Sequence, residues 1–255
     1  MRCRLLRNIF IVFLNLLMSD EPYANQQPVP PKEKWSFTKI FGTYDRAELQ
    51  RGLQVYQQVC STCHGLSHIS YRHLKALGFS EAKIKAIAAQ KEVQDGVDEE
   101  GNPIKRAGKP SDYFPNPFIN EKAARAANNG ANPPDLSLIV KARKGEASYV
   151  KALLKGYVNP PSDVHLAPGM YYNLYFSGHQ IAMAPPLSDQ LVQYADGTLA
   201  TVDQMAHDVV TFLAWASEPE MEDRKHLGIK VLTYLLIFTV LIGLIKRRTW
   251  RRLEE

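Results

Sequence analysis

The stretch Val59-Cys60-Ser61-Thr62-Cys63-His64-Gly65 decides how the rest of the chain is read. Cys-x-x-Cys-His is the signature of covalent c-type haem attachment. Two thiols three residues apart can each add to one vinyl group of a single porphyrin, and the histidine directly after them is placed to bind the iron from one face. Cys60 and Cys63 are therefore read as thioether anchors and His64 as the proximal iron ligand. Chance and two other chemistries compete for such a motif. A thioredoxin-like dithiol opens a helix near a strand-helix-strand pattern, whereas this motif closes a helical segment. A structural zinc needs four ligands, typically with a second Cys/His pair at matching spacing, and Cys3 is the one cysteine left over.

Immediately before the motif, Asp45 with Glu48 fits a capping box, and Leu49, Leu53, Tyr56, Cys60 and Cys63 recur at three- and four-residue spacing. Gly52 inside this helix costs about 1 kcal/mol against alanine, so it marks either close approach by another element or a tolerated surface glycine. Further upstream, Arg2, Arg4 and Arg7 precede an apolar run from Asn8 to Met18, the make-up of an export signal and too short for a bilayer, which needs about 20 residues. Residues 1–24 read as a signal peptide with an ill-defined cleavage site, or as an uncleaved anchor. Residues 25–44, rich in Pro and Gln from Gln26 to Lys34, read as an extended linker.

Downstream, Ser80 to Gln90 reads as a short amphipathic helix with Ile84 and Ile87 inward. The run from Glu92 to Pro103 carries Glu92, Asp95, Asp98, Glu99 and Glu100 with two glycines. Such a run is usually a solvated loop, but beside a haem it can steer a basic redox partner. Asn120 can cap an Ala-rich helix that stops at Asn129-Gly130, Asp135 can cap a segment running through Arg143 to Gly145, and Ser148 to Lys155 forms another helix. Asn159 to Pro186 has little periodicity and many aromatics, including Tyr171, Tyr172, Tyr175 and Phe176, and reads as an ordered loop packed on something apolar and flat. Thr201 with Gln204 starts a helix through Ala216.

Leu227 to Ile245 is an apolar run whose one charge, Lys230, can snorkel to the interface, and it reads as a transmembrane helix. The basic residues of the tail, 246–255, mark that side as cytoplasmic, so the domain at 45–222 faces the opposite compartment, in agreement with the export signal. The two ends each carry three net positive charges of the total of +5, so the chain between them is slightly acidic. Basicity here belongs to targeting and topology, and no nucleic-acid partner is read from it.

Iron that only passes electrons usually has both axial positions filled, and a methionine sulfur raises its potential relative to a second histidine. Met170, Met183 and Met205 are the candidates, since Met18 lies in the signal and Met221 abuts the span. Met205 lies on the inward face of its helix and is most simply core. Met183, in the proline-stiffened loop Ile181-Ala-Met-Ala-Pro-Pro-Leu187, is favoured over Met170, which stays open. His68, His73, His165, His179, His207 and His226 remain as further candidates.

Several longer stretches carry more specific information: Arg51-Gly-Leu-Gln-Val-Tyr-Gln-Gln-Val-Cys-Ser-Thr-Cys-His64, Val93-Gln-Asp-Gly96, Ser111-Asp-Tyr-Phe-Pro115, Ala123-Ala-Arg-Ala-Ala-Asn-Asn-Gly130, Pro133-Pro-Asp-Leu-Ser137, Leu153-Leu-Lys-Gly-Tyr157 and Met183-Ala-Pro-Pro186. From about Trp35 to the C-terminus the chain resembles the cytochrome c1 family, the membrane-anchored haem subunits of the cytochrome bc1 complex, in its bacterial form. The resemblance implies Met183 as the sixth ligand and Arg143 as cationic partner of a haem propionate, with Asn128, Pro133, Pro134, Ile139, Tyr149, Leu153 and Phe176 lining the pocket. It implies a mainly α fold, a class I cytochrome c-like haem domain with a long loop-rich insertion plus one C-terminal transmembrane helix, and one covalently bound haem c. The implied partners are cytochrome b, the Rieske iron-sulfur protein as electron donor and a soluble or membrane-bound cytochrome c as acceptor. The chain would then be no enzyme on its own but the electron-carrying subunit of a quinol–cytochrome c oxidoreductase in the bacterial cell membrane, its haem domain in the periplasm. The insertion cysteines that some family members pair are absent. A reading from another class is a membrane-anchored c-type haem protein with an open distal site, a peroxidase or gas sensor.

Overall fold

Helix α1, Arg46–Gln58, starts where Asp45 accepts hydrogen bonds from the backbone amides of Ala47 and Glu48 at 2.8 and 3.1 Å. The computed structural model describes residues 28–254, so the signal-peptide reading of residues 1–24 lies outside the described residues. After α1 come α2 (Glu81–Ala89), the hairpin β1 (Glu92–Val97) and β2 (Pro103–Ala107), α3 (Glu121–Ala127), α4 (Glu146–Lys155), the short pair β3 (Tyr171–Tyr172) and β4 (Gln180–Ile181), α5 (Val202–Ser217) and α6 (Met221–Glu254). The described residues are thus mainly helical, with two small antiparallel sheets.

The core is the crossing of α1 on α5. Leu49, Leu53 and Tyr56 from α1 and Met205, Phe212 and Trp215 from α5 are essentially fully buried in one cluster, each such side chain contributing about 1.5–3 kcal/mol of hydrophobic stabilisation. Gly52 is the contact point: a Cβ there would fall on the backbone carbonyl of Asp208 and on Phe212, so it marks close approach and is no surface glycine. The neighbouring Arg51 forks onto the fully buried Asp208, Nε to Oδ2 at 2.9 Å and Nη2 to Oδ1 at 3.0 Å. Gln204 supplies further donors to the same carboxylate. Glu48 closes no capping box; it turns to α5 and accepts from the Thr211 hydroxyl at 3.2 Å.

Three readings are corrected by packing. The linker expected over 25–44 is broken by core side chains: Trp35, Phe37 and Tyr44 are buried, and the Trp35 indole N–H donates to Ser148 Oγ at 3.1 Å. Pro/Gln composition ends at Lys34, and the aromatics beyond it find a hydrophobic seat. The acidic run is a hairpin, β1 paired with β2; nearly every residue of both strands is exposed, so no alternation announced them. The segment expected after Asp135 is a series of turns, because its capping carboxylate is shared with the Ser67 amide in another loop.

Helix α6 runs past the apolar stretch at both ends. Residues Met221–Arg252 form the one helix among the described residues long and apolar enough to cross a membrane, and its apolar window packs against nothing in the protein. Its 32 residues span about 48 Å at about 1.5 Å per residue, more than the ~30 Å of bilayer hydrocarbon, so both ends project beyond it.

A half-buried ionic cluster ties the N-terminal segment to this core. His207 on α5 stacks on the Trp35 ring, centroids 4.7 Å apart, with Glu48 at 3.4 Å and Glu33 at 3.5 Å, while Lys151 binds Glu33 at 2.6 Å. Hydrogen bonding to Glu48 raises the His207 pKa above its ordinary 6.5, against the opposing effects of burial and Lys151. A raised folded-state value means that this stabilisation is complete below the ordinary value and is lost as pH rises through the raised one. The unfolding temperature of the wild type is expected to lose its lead over Glu48→Gln as pH is raised from below the ordinary histidine value of 6.5 to above it. A difference between the two proteins that stays constant over that range would contradict it.

Candidate functional site

The haem-attachment motif leaves α1 through a 3-10 turn at Cys60–Thr62, where the Cys63 and His64 amides both donate to the Cys60 carbonyl. Cys60 packs against the core edge, and burial followed by the proximity of Cys63 pushes its thiol up to about 12. A redox dithiol needs the opposite, a lowered thiol pKa. Neither cysteine is in a disulfide, and no set of three or more His, Cys, Asp or Glu side chains gathers as a metal site among the described residues. A raised thiol pKa suits a redox dithiol poorly, and no zinc ligand set forms around Cys60 and Cys63 among the described residues.

His64 is held from one side. Its Nδ1 lies 2.7 Å from the Pro134 carbonyl, so the ring N–H donates there and Nε2 keeps its lone pair for a metal. Burial lowers its pKa despite that hydrogen bond, which favours the neutral, ligating imidazole. The Pro134 wall is bolted to the chain just after the motif: Asp135 accepts from the Ser67 and Ser137 amides at 2.9 and 2.8 Å, and the Leu136 amide donates to the Gly65 carbonyl at 2.9 Å. Burial raises the Asp135 pKa, but these hydrogen bonds outweigh it and leave the carboxyl below its ordinary range. Gly65 is required there because a Cβ would strike the Asn116 and Asp135 side chains. From the α1 side, the Tyr56 hydroxyl donates to the His64 carbonyl at 3.2 Å.

Met183 is held through its backbone. The Tyr157 hydroxyl donates to the Met183 carbonyl at 3.0 Å. Tyr157 follows α4 and bridges to Asn173, a fully buried residue whose amide donates to the Leu153 carbonyl at 2.8 Å and whose side-chain oxygen accepts from the Tyr175 amide at 3.0 Å. The aperiodic segment around β3 and β4 is thereby ordered, and Met183 emerges two residues beyond β4. Met170 is also half-buried, whereas Met205 lies wholly in the core. Among the other histidines, His73 bonds to Ser70, His179 to the Asn173 carbonyl and His207 to its carboxylates, while His68, His165 and His226 are exposed.

Of the expected pocket residues, Asn128, Pro133, Ile139, Tyr149, Leu153 and Phe176 are half-buried and Pro134 is exposed. Asn128 spends its amide on the Ala124 carbonyl at 2.7 Å. Ile139 and Tyr149, like Cys60, pack against the core from its edge. Arg143 is exposed and forms no ion pair among the described residues; it lies near Tyr149, whose pKa burial raises and the Arg143 charge lowers. A cavity of about 280 Å³ opens beside Cys63, lined also by Asn116, Phe118 and Pro133. A neutral imidazole with a free Nε2, a desolvated thiol, a tethered methionine and a half-buried apolar rim fit a c-type haem. The sequence shows Tyr56 as an inward helix position and Asp135 as a cap, but the hydrogen bonds by which Tyr56, Asp135, Tyr157 and Asn173 hold the walls are not legible in it, because their partners are set by the fold.

Three of the five acidic residues have partners within the hairpin. Glu92 pairs with Lys105 at 3.5 Å, Asp95 with Arg106 at 2.9 Å, and Asp98 accepts from the Asn102 amide in the hairpin turn at 2.6 Å. Glu99 and Glu100 are exposed and carry no ion pair among the described residues.

Residues 35–253 match the Cytochrome C1 family, a match that begins at Trp35, the first buried residue among those described. The chain belongs to the cytochrome c1 family. Cytochrome c1 of Rhodospirillum rubrum is 49% identical over 240 residues, covering 88% of both chains. A mitochondrial cytochrome c1 haem protein of Arabidopsis thaliana is 50% identical over 224 residues, 88% of this chain and 71% of its own. A Candida albicans protein named as the catalytic subunit of the cytochrome b-c1 complex is 50% identical over 248 residues, 96% of this chain and 86% of its own. The resemblance read from the motifs is thus confirmed, and cytochrome c1 membership implies the c-type haem that the Cys60–His64 motif suits. The mainly α architecture with one apolar C-terminal helix agrees with a cytochrome c1 fold.

Proposed function

We propose that this cytochrome c1 is the haem-bearing electron-transfer subunit of a respiratory cytochrome bc1 complex, taking electrons from the Rieske iron-sulfur protein and handing them to a soluble or membrane-bound cytochrome c, with cytochrome b as its membrane neighbour. The observation that carries this is the pair of tethered ligand positions: the His64 ring fixed on Pro134 and the Met183 carbonyl fixed by Tyr157. Haem c, joined to Cys60 and Cys63, supplies a one-electron iron couple. The residues would do the rest: His64 and Met183 would hold the iron, the half-buried rim of Ile139, Tyr149, Leu153 and Phe176 with Pro133, Pro134 and Asn128 would keep water from the group, and Arg143 would offer it a cation. No general acid or base is required. The haem domain, now counted from about Trp35 to residue 222, stands in the periplasm on α6, and the basic end of α6 lies in the cytoplasm.

Membranes lacking this chain are expected to lose quinol-driven reduction of cytochrome c and to regain it with the full-length wild type but not with Cys60→Ala/Cys63→Ala. Undiminished reduction in the deletion strain would end the proposal. Docking of a basic acceptor is assigned to the hairpin of Glu92, Asp95, Asp98, Glu99 and Glu100, with Glu99 and Glu100 supplying the unpaired charge. The Asp98→Asn/Glu99→Gln/Glu100→Gln variant is expected to slow electron delivery to a basic cytochrome and to flatten its salt dependence. An unchanged rate and salt slope in stopped-flow measurements would dismiss the docking role.

A further inference from the structure

Outside α6, the described residues hold one place where two large apolar side chains adjacent in sequence both lie bare: Ile40 and Phe41, 79% and 77% exposed. They occupy the corners of a turn closed by the Gly42 amide on the Lys39 carbonyl at 2.8 Å. Corner positions of such turns ordinarily take Gly, Pro, Asn, Asp or Ser, whose backbone freedom or local hydrogen bonds suit a turn, and Ile and Phe bring neither. This turn is also rigid. A Cβ on Gly42 would strike the Ser36 carbonyl and the Lys39 nitrogen, so the chain has no slack there.

The turn is fastened to the first turns of α6. Lys225 directs its ammonium group at three carbonyls, those of Phe37, Lys39 and Gly42, at 2.8, 2.7 and 3.0 Å. All three of its donors are used, and two of the carbonyls flank the Ile40-Phe41 pair. Glu222, one turn earlier on α6, accepts from the Tyr44 amide at 2.7 Å and pairs with Arg46. Lys225 lies two residues before Leu227, about 3 Å along the helix axis from the start of the apolar run. Two uncovered apolar side chains are therefore locked at the level where α6 itself changes from polar to apolar.

We propose that the Lys39–Gly42 turn is seated in the headgroup region of the bilayer, with Ile40 and Phe41 immersed, so that the haem domain touches the membrane at a second point beside α6. The inference rests on reading α6 as a membrane span, and the occupant it commits to is lipid, because the turn continues the surface that α6 presents to lipid. A second anchor of this kind fixes the tilt of the domain on its stalk, which one helix with a single attachment would leave free.

The test is site-directed spin labelling of the full-length, haem-loaded protein in lipid nanodiscs, with the subunits that co-purify, in a Cys3→Ser background where Cys60 and Cys63 are consumed as thioethers. Labels go on Phe41→Cys, on Val240→Cys within α6 and on Ile119→Cys, an exposed position in the haem domain. Collision with oxygen is compared with collision with a water-soluble nickel chelate. The label at 41 is expected to favour oxygen, at a depth of about 5–10 Å from the membrane surface, with 240 deep in lipid and 119 in water. If 41 matches 119 while 240 is deep, the turn is in water and the proposal is overturned with the span intact. If 41 is shielded from both reagents, a protein neighbour covers it and lipid contact is again overturned. If 240 itself matches 119, the span reading fails and the inference fails with it.

Discussion

Met183→Leu is expected to open the iron to carbon monoxide in the reduced protein, whereas the wild type stays inert, and to lower the midpoint potential by a sizeable part of the roughly 0.8 V range that axial ligation spans. Leucine fills the volume but offers no sulfur lone pair, so packing survives while ligation is lost. Met170→Leu is the control, because both methionines are half-buried and either could be drawn to the iron; its spectrum and potential should not change. Tyr157→Phe tests the support. It removes the hydroxyl that holds the Met183 carbonyl at 3.0 Å, a single hydrogen bond of about 0.5–1.5 kcal/mol, and should weaken ligation without abolishing it. Rapid stoichiometric carbon monoxide binding by the wild type would instead favour a catalytic or sensing haem protein with an open distal site.

The second large effect lies at the helix crossing. Asp208→Ala should cost about 1.5–3 kcal/mol, the scale of losing hydrogen bonds to a charged group, because the partly exposed Arg51 keeps a second carboxylate. That is a sizeable share of the roughly 5–15 kcal/mol by which a domain is stable. Arg51 would keep the more exposed Asp196 at 2.9 Å but lose both hydrogen bonds to a fully buried carboxylate. Gly52→Val attacks the same crossing by volume, since its side chain must displace the Asp208 carbonyl and Phe212. Overpacking of this sort costs typically 1–3 kcal/mol, and the two changes should combine non-additively because they share Asp208. Denaturant unfolding of the full-length protein in detergent, followed by far-ultraviolet circular dichroism, reads both. An Asp208→Ala midpoint equal to wild type would show that Arg51 has found other compensation.

Much of the fold was legible because its signals are local. Asp45, Asn120 and Thr201 each cap a helix through amides no more than three residues away, as their side chains suggested. The aromatic-rich stretch around Tyr171 and Phe176 is ordered, as its composition suggested. The hairpin at Glu92–Ala107 escaped because exposed strands need no alternating pattern, and its supposed free carboxylates are half consumed by Lys105 and Arg106 across the ladder. Residues 35–44 escaped because three aromatics on an irregular segment have no period, and their burial depends on α4, α5 and α6 closing over them.

By itself the chain's order of residues determined the haem-attachment motif, the helix starts and the apolar C-terminal helix. Each of these depends on neighbours within a few positions or on the solvent the segment prefers. Tertiary structure alone decided which carbonyl orients His64, 70 residues away, which hydroxyl steadies Met183, 26 residues away, and which carboxylate receives Arg51, 157 residues away. Those partners are set by how the helices cross and where the loops return, and a hydrogen bond acts over about 3 Å of space whatever the length of chain between its ends.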